Sequence, residues 1–280
     1  MTLSPEDQAY LEKLPGAGAF NPTVPHPARR YNYWLDGKDN FDADRRSADE
    51  IERLVPGMRA GVRANREVLR RVVRHLTAEE GVRQFLDVGT GLPTADNTHE
   101  VAQGIAPESR VVYVDNDPLV LTHARALLTS APAGRTAYIE ADVREPDRIL
   151  AAPEVVDTFD LSRPVALLLV GVLHFVPGDG AAKPLVDRLM GALPPGSFLF
   201  VTHVTNDFLP PEIVAGHEEM QRAGRSDFWM RGRDEVTRLF DGLELLEPGI
   251  VPTTRWRAEA DAPELPLHVV NAWAGVGRKP

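Results

Sequence analysis

Three aspartates and one glycine turn are the residues of this chain whose types and spacing point to chemistry. Asp87 sits near the end of the short apolar run Gln84-Phe-Leu-Asp-Val88, and Gly89-Thr90-Gly91 follows at once. Glycine has no Cβ, so it permits a sharp turn and lets backbone come close to a ligand. A turn of this kind, between a parallel strand and a helix, is where doubly wound α/β folds hold nucleotide-like cofactors. The Asp87 carboxylate narrows the choice, because it would repel a pyrophosphate and attract the ammonium end of S-adenosylmethionine. Asp115 and Asp142 end two further strand candidates, with positions 87, 115 and 142 lying 28 and 27 residues apart. One βα unit takes roughly 25–30 residues, so the three acids are expected along one edge of a sheet. An acid after the second strand suits ribose hydroxyls, and one after the third can reach an adenine amino group. Each alone is also an ordinary turn residue. Together with the glycine turn they favour a site.

If the cofactor is S-adenosylmethionine, the expected chemistry is transfer of its methyl group, an in-line displacement in which positioning does most of the work. A general base is needed only if the acceptor must lose a proton. His174, after the fourth strand candidate, and His203, at the end of the fifth, are the candidates, since histidine titrates near neutrality. Either could equally be a hydrogen-bonded structural histidine. Tyr33 is a third candidate, from a block holding Arg29, Arg30, Tyr31, Trp34, Lys38, Asn40 and Phe41. An aromatic face attracts a cation within about 6 Å, and a sulfonium is a cation; ordinary packing is the competing explanation. The Gly37-Lys-Asp-Asn40 turn points to a site role for at least one of Tyr33, Lys38 and Asn40. Arg59, Arg63, Arg66, Arg70 and Arg74 recur on one helix face. That face is either solvated or brings Arg63 or Arg66, with Asn65, to a carboxylate. No histidine pair or acidic cluster has metal-binding spacing, and no metal is expected.

The elements that must position these groups alternate. Strands are expected at 84–88, 110–115, 137–140, 165–170 and 198–203, with helices at 98–105, 118–128, 181–192, 211–222 and 233–240. That rhythm is the mark of a parallel α/β sheet. Val165-Ala-Leu-Leu-Leu-Val170 is continuously apolar, as expected for a strand covered on both faces. Two terminal strands, 243–251 and 268–276, have no helix between them and suggest an antiparallel hairpin at one edge. Before the sheet, residues 1–40 read as irregular apart from a helix near 5–14. Helices at 42–54 and 58–76 are divided by Pro56-Gly57. The expected organisation is an amino-terminal helical lid over residues 1–80 and a cofactor-binding domain over 81–280.

A length of 280 residues with 43% hydrophobic content allows a sizeable core. The absence of cysteine excludes disulfides, thiolate chemistry and cysteine-ligated zinc. No apolar run reaches transmembrane length, and Met1–Asp7 lacks a signal-peptide pattern, so a cytoplasmic location is expected. A formal charge of −10 argues against adhesion to nucleic acid or anionic membrane and leaves a small molecule as the expected partner.

Asp87-Val-Gly-Thr-Gly91, Val112-Tyr-Val-Asp-Asn-Asp117 and Ala141-Asp142-Val143 together resemble the class I S-adenosylmethionine-dependent methyltransferases. The resemblance is closer to one bacterial branch of them. It runs through Ala28–Phe41, Gln84–Thr94, Asn97–Gln103, Leu173–Pro177 and Ala274–Pro280, nearly the whole chain. It implies a Rossmann-like, doubly wound seven-stranded sheet with the last strand antiparallel. It also implies that Gly89, Thr90 and Gly91 wrap the methionine part, with Asp87 nearby, and that Asp115 binds the ribose. Asn116 would lie beside the adenine, with Asp142 and the Val143 backbone reading its edge. Many such enzymes carry a third glycine where this chain has Leu92-Pro93, which stiffens the turn. Two other classes stay open: a non-catalytic cofactor-binding module, since no indispensable catalytic residue stands out, and a nicotinamide oxidoreductase. The latter would want glycine where Thr94 stands.

Overall fold

Why the site lies where it does follows from how the strands are ordered. The computed structural model describes residues 3–12, 20–127, 130–262 and 264–280. It begins with four helices, α1 (Pro5–Leu11), α2 (Pro27–Trp34), α3 (Asp42–Leu54) and α4 (Met58–Ala78). An alternating series follows: β1 (Gln84–Val88), α5 (Thr98–Ile105), β2 (Arg110–Asp115), α6 (Pro118–Leu127) and β3 (Arg135–Glu140). The helices α7 (Pro146–Leu150) and α8 (Pro153–Thr158) lead to β4 (Ala166–Val170), α9 (Ala182–Gly191), β5 (Phe198–Val204), α10 (Pro211–Arg222) and α11 (Arg233–Arg238). Two-residue strands β6 (Glu244–Leu245) and β7 (Val251–Pro252), the helical turn α12 (Leu267–Val270) and β8 (Ala272–Arg278) complete the chain.

The eight strands form one sheet in the order β3-β2-β1-β4-β5-β8-β6, with β7 also on β8. The first five strands are parallel and β8 is antiparallel to β5. Chain order reverses between β1 and β4, and the carboxyl ends at such a switch point open a crevice for a ligand. Both faces are covered, which is why the parallel strands read as unbroken apolar runs. Leu86, Val112, Val114, Leu167 and Leu169 pack on one face; Phe85, Val111, Ala166 and Leu168 pack on the other against Val68, Val72 and Leu76 of α4. The helix α4 thus belongs to the sheet's own core. By contrast, Trp34 of α2, Ile51 of α3 and Val62 at the start of α4 join Met220 and Phe228 in a separate apolar cluster.

The sheet agrees with the expected class, including its antiparallel last strand. The single strand expected at 243–251 is instead β6 and β7, both along β8, parted by Pro248-Gly249, where proline offers no ladder donor. The strand expected from His268 begins at Ala272, because Leu267–Val270 closes a helical turn. In the lead, Pro27–Trp34 is helical rather than irregular: Pro27 stands in the first turn and the His26 ring accepts the Ala28 N–H. The ends of the helices expected at 5–14 and 118–128 fall on 13–14 and 128, outside the described residues.

Candidate active site

A cavity of about 450 Å³ lies over the carboxyl ends of β1, β2, β4 and β5, roofed by α2, α3 and the start of α4. Its volume falls within the range of small-molecule sites. All eight residues expected at a cofactor line it: Asp87, Gly89, Thr90, Gly91, Asp115, Asn116, Asp142 and Val143. His174 and His203 line it as well.

The turn after β1 is held from both sides. The N–H groups of Gly89 and Thr90 both donate to the Val114 carbonyl, at 2.8 and 3.2 Å. The Gly91 N–H donates to Oδ2 of Asp115 at 2.8 Å, while Oδ1 of Asp115 takes the Asp117 N–H at 3.0 Å. Each carboxylate oxygen keeps a further lone pair for a ligand. Gly89 has φ +75°, and a Cβ there would run into Val172; Gly91 has φ +69° with open space where a Cβ would project. Leu92-Pro93 does not spoil the turn. Leu92 is buried beside Phe41 and Leu119, and Asn97 bonds Thr94 through both its amide groups before its own N–H meets Glu100 at 2.7 Å.

Burial pushes the carboxyl of Asp87 up to about 6, against a hydrogen bond from the Thr98 hydroxyl at 2.6 Å and the attraction of Arg66. A buried carboxylate in this state is short of a cation. Asp142 is the opposite case. Hydrogen bonds from the Arg144 side chain hold it down to about 2, with the Asn116 amide adding a bond at 2.9 Å. Asp115 is raised, chiefly by burial.

The two histidines part company. At His203, Nε2 meets the Arg231 guanidinium at 2.8 Å and Nδ1 faces the Val204 carbonyl at 2.8 Å. A guanidinium can only donate, so Nε2 is the acceptor and Nδ1 carries the proton. Burial is the main reason its imidazole is held down at about 3, with Arg231 opposing protonation too. His203 therefore has no free lone pair for a substrate proton, a correction to its candidacy as a base. His174 is buried, its Nδ1 has no hydrogen-bond partner, and burial, with His203 and Arg231 behind it, keeps it well below the ordinary histidine range.

Tyr33 does not line the cavity. One helical step is about 100°, so Tyr31 and Trp34 share the inward face of α2 and Tyr33 turns outward. Its hydroxyl donates to Asp49 at 3.0 Å, and Arg59 lies over its ring. Asn40 is spent on the turn itself, donating to Asn32 and to the Gly37 carbonyl, and Lys38 is exposed. Of the α4 arginines, Arg63 pairs with Asp36 outside the cavity, whereas Arg66 and Asn65 border it.

Several lining residues were not anticipated from sequence as site residues. Arg30 holds Asp227 through two bonds of 2.5 and 2.7 Å, and Arg144 covers Asp142. Behind the wall, Arg29 reaches both Asp117 at 3.2 Å and Asp44 at 3.5 Å, tying α2 to the turn after β2. Arg30 and Asp227, like Arg29 and Asp117, are far apart in sequence, so no local spacing announces them, whereas Arg144 follows Asp142 closely in the chain.

The strand order, the reversed last strand and the glycine turn at the switch point define a Rossmann-like methyltransferase fold. Residues 17–280 match the family of S-adenosyl methyltransferases, and the chain belongs to that family. A DUF574 family protein from Streptomyces avermitilis is 46% identical, with a TM-score of 0.86 over 92% of this chain and 98% of that one. A candidate methyltransferase from Thermobifida fusca is 44% identical, with a TM-score of 0.83 over 92% and 96%. A candidate S-adenosyl-L-methionine-dependent methyltransferase of Mycobacterium tuberculosis is 28% identical over 187 residues. That alignment takes in 64% of this chain, which spans only 52% of that relative's length. Among the described residues no helix is long and apolar enough to cross a membrane.

Proposed function

We propose that the protein moves the methyl group of S-adenosylmethionine onto a small-molecule acceptor held in the same cavity. The observation that carries this is the meeting of Asp87, the Gly89–Gly91 turn, Asp115 and Asp142 on one wall. The residues fit the cofactor. Asp87 lacks a cation and would take the ammonium, and the open space over Gly91 admits the methionine chain. Asp115 keeps lone pairs for the ribose hydroxyls. Asn116, Asp142 and the Val143 backbone would face the adenine. Arg66 and the Asn65 amide, whose Oδ1 has no partner, would meet the amino-acid end.

When bound, S-adenosylmethionine supplies an electrophilic methyl carbon, and its carbon–sulfur bond breaks with the electron pair left on sulfur as the acceptor attacks. The protein's own part is positioning and exclusion of water. His174 is the group proposed to take the acceptor's proton at Nδ1. Neutral across the physiological range, it is always ready to accept; a weak base, it suits a hydroxyl whose acidity rises as the new bond forms and not an ammonium group. No role is assigned to Tyr33. The described part of residues 1–80 acts as the helical cover, with α4 its fixed base.

Calorimetry with S-adenosylhomocysteine tests the cofactor assignment. Asp115→Ala is expected to weaken binding by about tenfold or more, since it removes hydrogen bonds from a charged acceptor and frees the Gly91 N–H. No heat of binding by the unaltered protein up to millimolar ligand would sink the proposal, and an unchanged dissociation constant in the variant would remove the ribose assignment.

A further inference from the structure

The cavity has two chemically different halves. Toward β1–β3 it is lined by carboxylates and glycine backbone. Toward the other side stand Trp34, Ile51, Met58, Val62, Phe228 and Met230, members of the separate apolar cluster between the helical cover and the segment after α10. Gly171, at φ +66°, lies at the boundary, with the Asn65 amide and the His174 ring each close to where its Cβ would stand. Tyr31, Trp34, Phe175 and Phe228 bring four rings to this half, and His174 packs edge-on to Phe228.

The charges of this half cancel. Arg30 and Asp227 are bonded to each other through both carboxylate oxygens, so each charge already has its counter-charge before a ligand arrives. What remains unsatisfied is neutral. Beyond Oδ1 of Asn65 at the boundary, the buried polar atoms without partners on described residues that line the cavity are Nε1 of Trp34, Nδ1 of His174 and Oγ1 of Thr202. Leaving such an atom unpaired costs about 1–3 kcal/mol. Trp34 can only donate, a neutral histidine nitrogen can accept, and a threonine hydroxyl does both. A ligand hydroxyl is itself donor and acceptor, so it matches each of these atoms in kind.

Resting on the cofactor assignment above, we infer that the methyl acceptor is a neutral, mainly apolar aromatic molecule bearing a free hydroxyl. It is seated between α2–α4 and Phe228–Met230, with its hydroxyl among Trp34, His174 and Thr202. A flat ring matches the ring-lined walls, and aromatic pairs gain beyond their buried area. Carboxylated or amino-bearing acceptors of the same shape are rejected because burying an unpaired charge there is costly.

The probe is 2-naphthol, titrated calorimetrically into the full chain with and without saturating S-adenosylhomocysteine. Its comparators are 6-hydroxy-2-naphthoate and 2-naphthylmethylamine. The naphthol is expected to bind about tenfold or more tightly than either charged analogue. Met58→Glu is expected to weaken naphthol by about tenfold through the unpaired charge while leaving S-adenosylhomocysteine affinity unchanged, which also reports an intact fold. Trp34→Phe, which keeps the ring and removes only the N–H, is expected to cost a smaller factor of about three to ten. A charged analogue that binds as tightly as naphthol overturns the inference. So does no naphthol binding up to its solubility limit, or binding unaltered by both variants. Naphthol binding without any S-adenosylhomocysteine binding would instead remove the cofactor assignment and leave the acceptor chamber standing.

Discussion

Asp87→Asn is expected to make the protein more stable and a poorer cofactor binder at the same time. Burial raises the Asp87 carboxyl to about 6, above the value near 3.9 of an unfolded aspartate. A group raised in the folded state contributes its stability below the unfolded value and loses it as pH climbs through the folded one. From about pH 4 to pH 6 the protein therefore loses up to about 3 kcal/mol at this position, and at pH 7 the whole cost is present. Asparagine has the same shape, carries no charge and still offers an oxygen to the Thr98 hydroxyl. Its melting temperature at pH 7–8 should rise by about 2–6 °C, and the gain should vanish below pH 4.

The same substitution removes the proposed partner of the cofactor's ammonium. Losing one member of a buried, hydrogen-bonded charge pair costs about 2–5 kcal/mol, so S-adenosylhomocysteine should bind on the order of 100-fold more weakly. The affinity of the unaltered protein should climb from pH 5 to pH 7 as Asp87 ionises, while the variant's changes less. Thermal scans and calorimetry on one preparation check both arms. A variant that is no more stable and binds as tightly as the parent would falsify the assignment of Asp87 as a strained, waiting carboxylate.

Such a carboxylate is legible in the sequence for a physical reason. The sheet is buried on both faces, so β1, β2, β4 and β5 had to be written as apolar runs, and at the ends of β1 and β2 an aspartate reaches the crevice. Asp87, Asp115 and Asp142 come from three consecutive units with nearly equal spacing, which is why their convergence could be foreseen. The helix α2 was not foreseen because Pro and Gly surround it, although His26-Pro27 holds a cap and a first-turn proline, the local signal that could have found it. Without that helix there was no means of telling Tyr31 and Trp34, which face inward, from Tyr33, which faces out. The roles of Arg30, Asp227 and Arg231 are beyond any periodicity: each depends on chain segments brought together only by the finished fold.

Arg231→Met is expected to be the most damaging single change to the acceptor side. Residue 231 is buried, and its guanidinium donates to the carbonyls of Leu173, Val176 and Gly178 at 3.0, 2.8 and 3.0 Å as well as to His203. Those three carbonyls lie in the loop after β4 that carries His174 and Phe175, and the neighbouring Trp229 N–H donates to the His174 carbonyl at 2.7 Å. Methionine fills much of the volume and leaves all four acceptors without a donor. Hydrogen bonds to a charged group contribute about 1.5–3 kcal/mol each; because bonds sharing one guanidinium are not additive, a net loss of about 3–5 kcal/mol is expected, a fall of about 6–15 °C in melting temperature. Arg231→Lys keeps the charge but not the fork, so it should recover only part of the loss. His203 gives an independent readout. Freed of the neighbouring cation, its imidazole should titrate upward from about 3, visible in the pH dependence of its ring-proton resonance. A melting temperature within about 2 °C of the parent, or a His203 resonance that titrates as before, would mean that the loop after β4 is held by packing and not by this arginine.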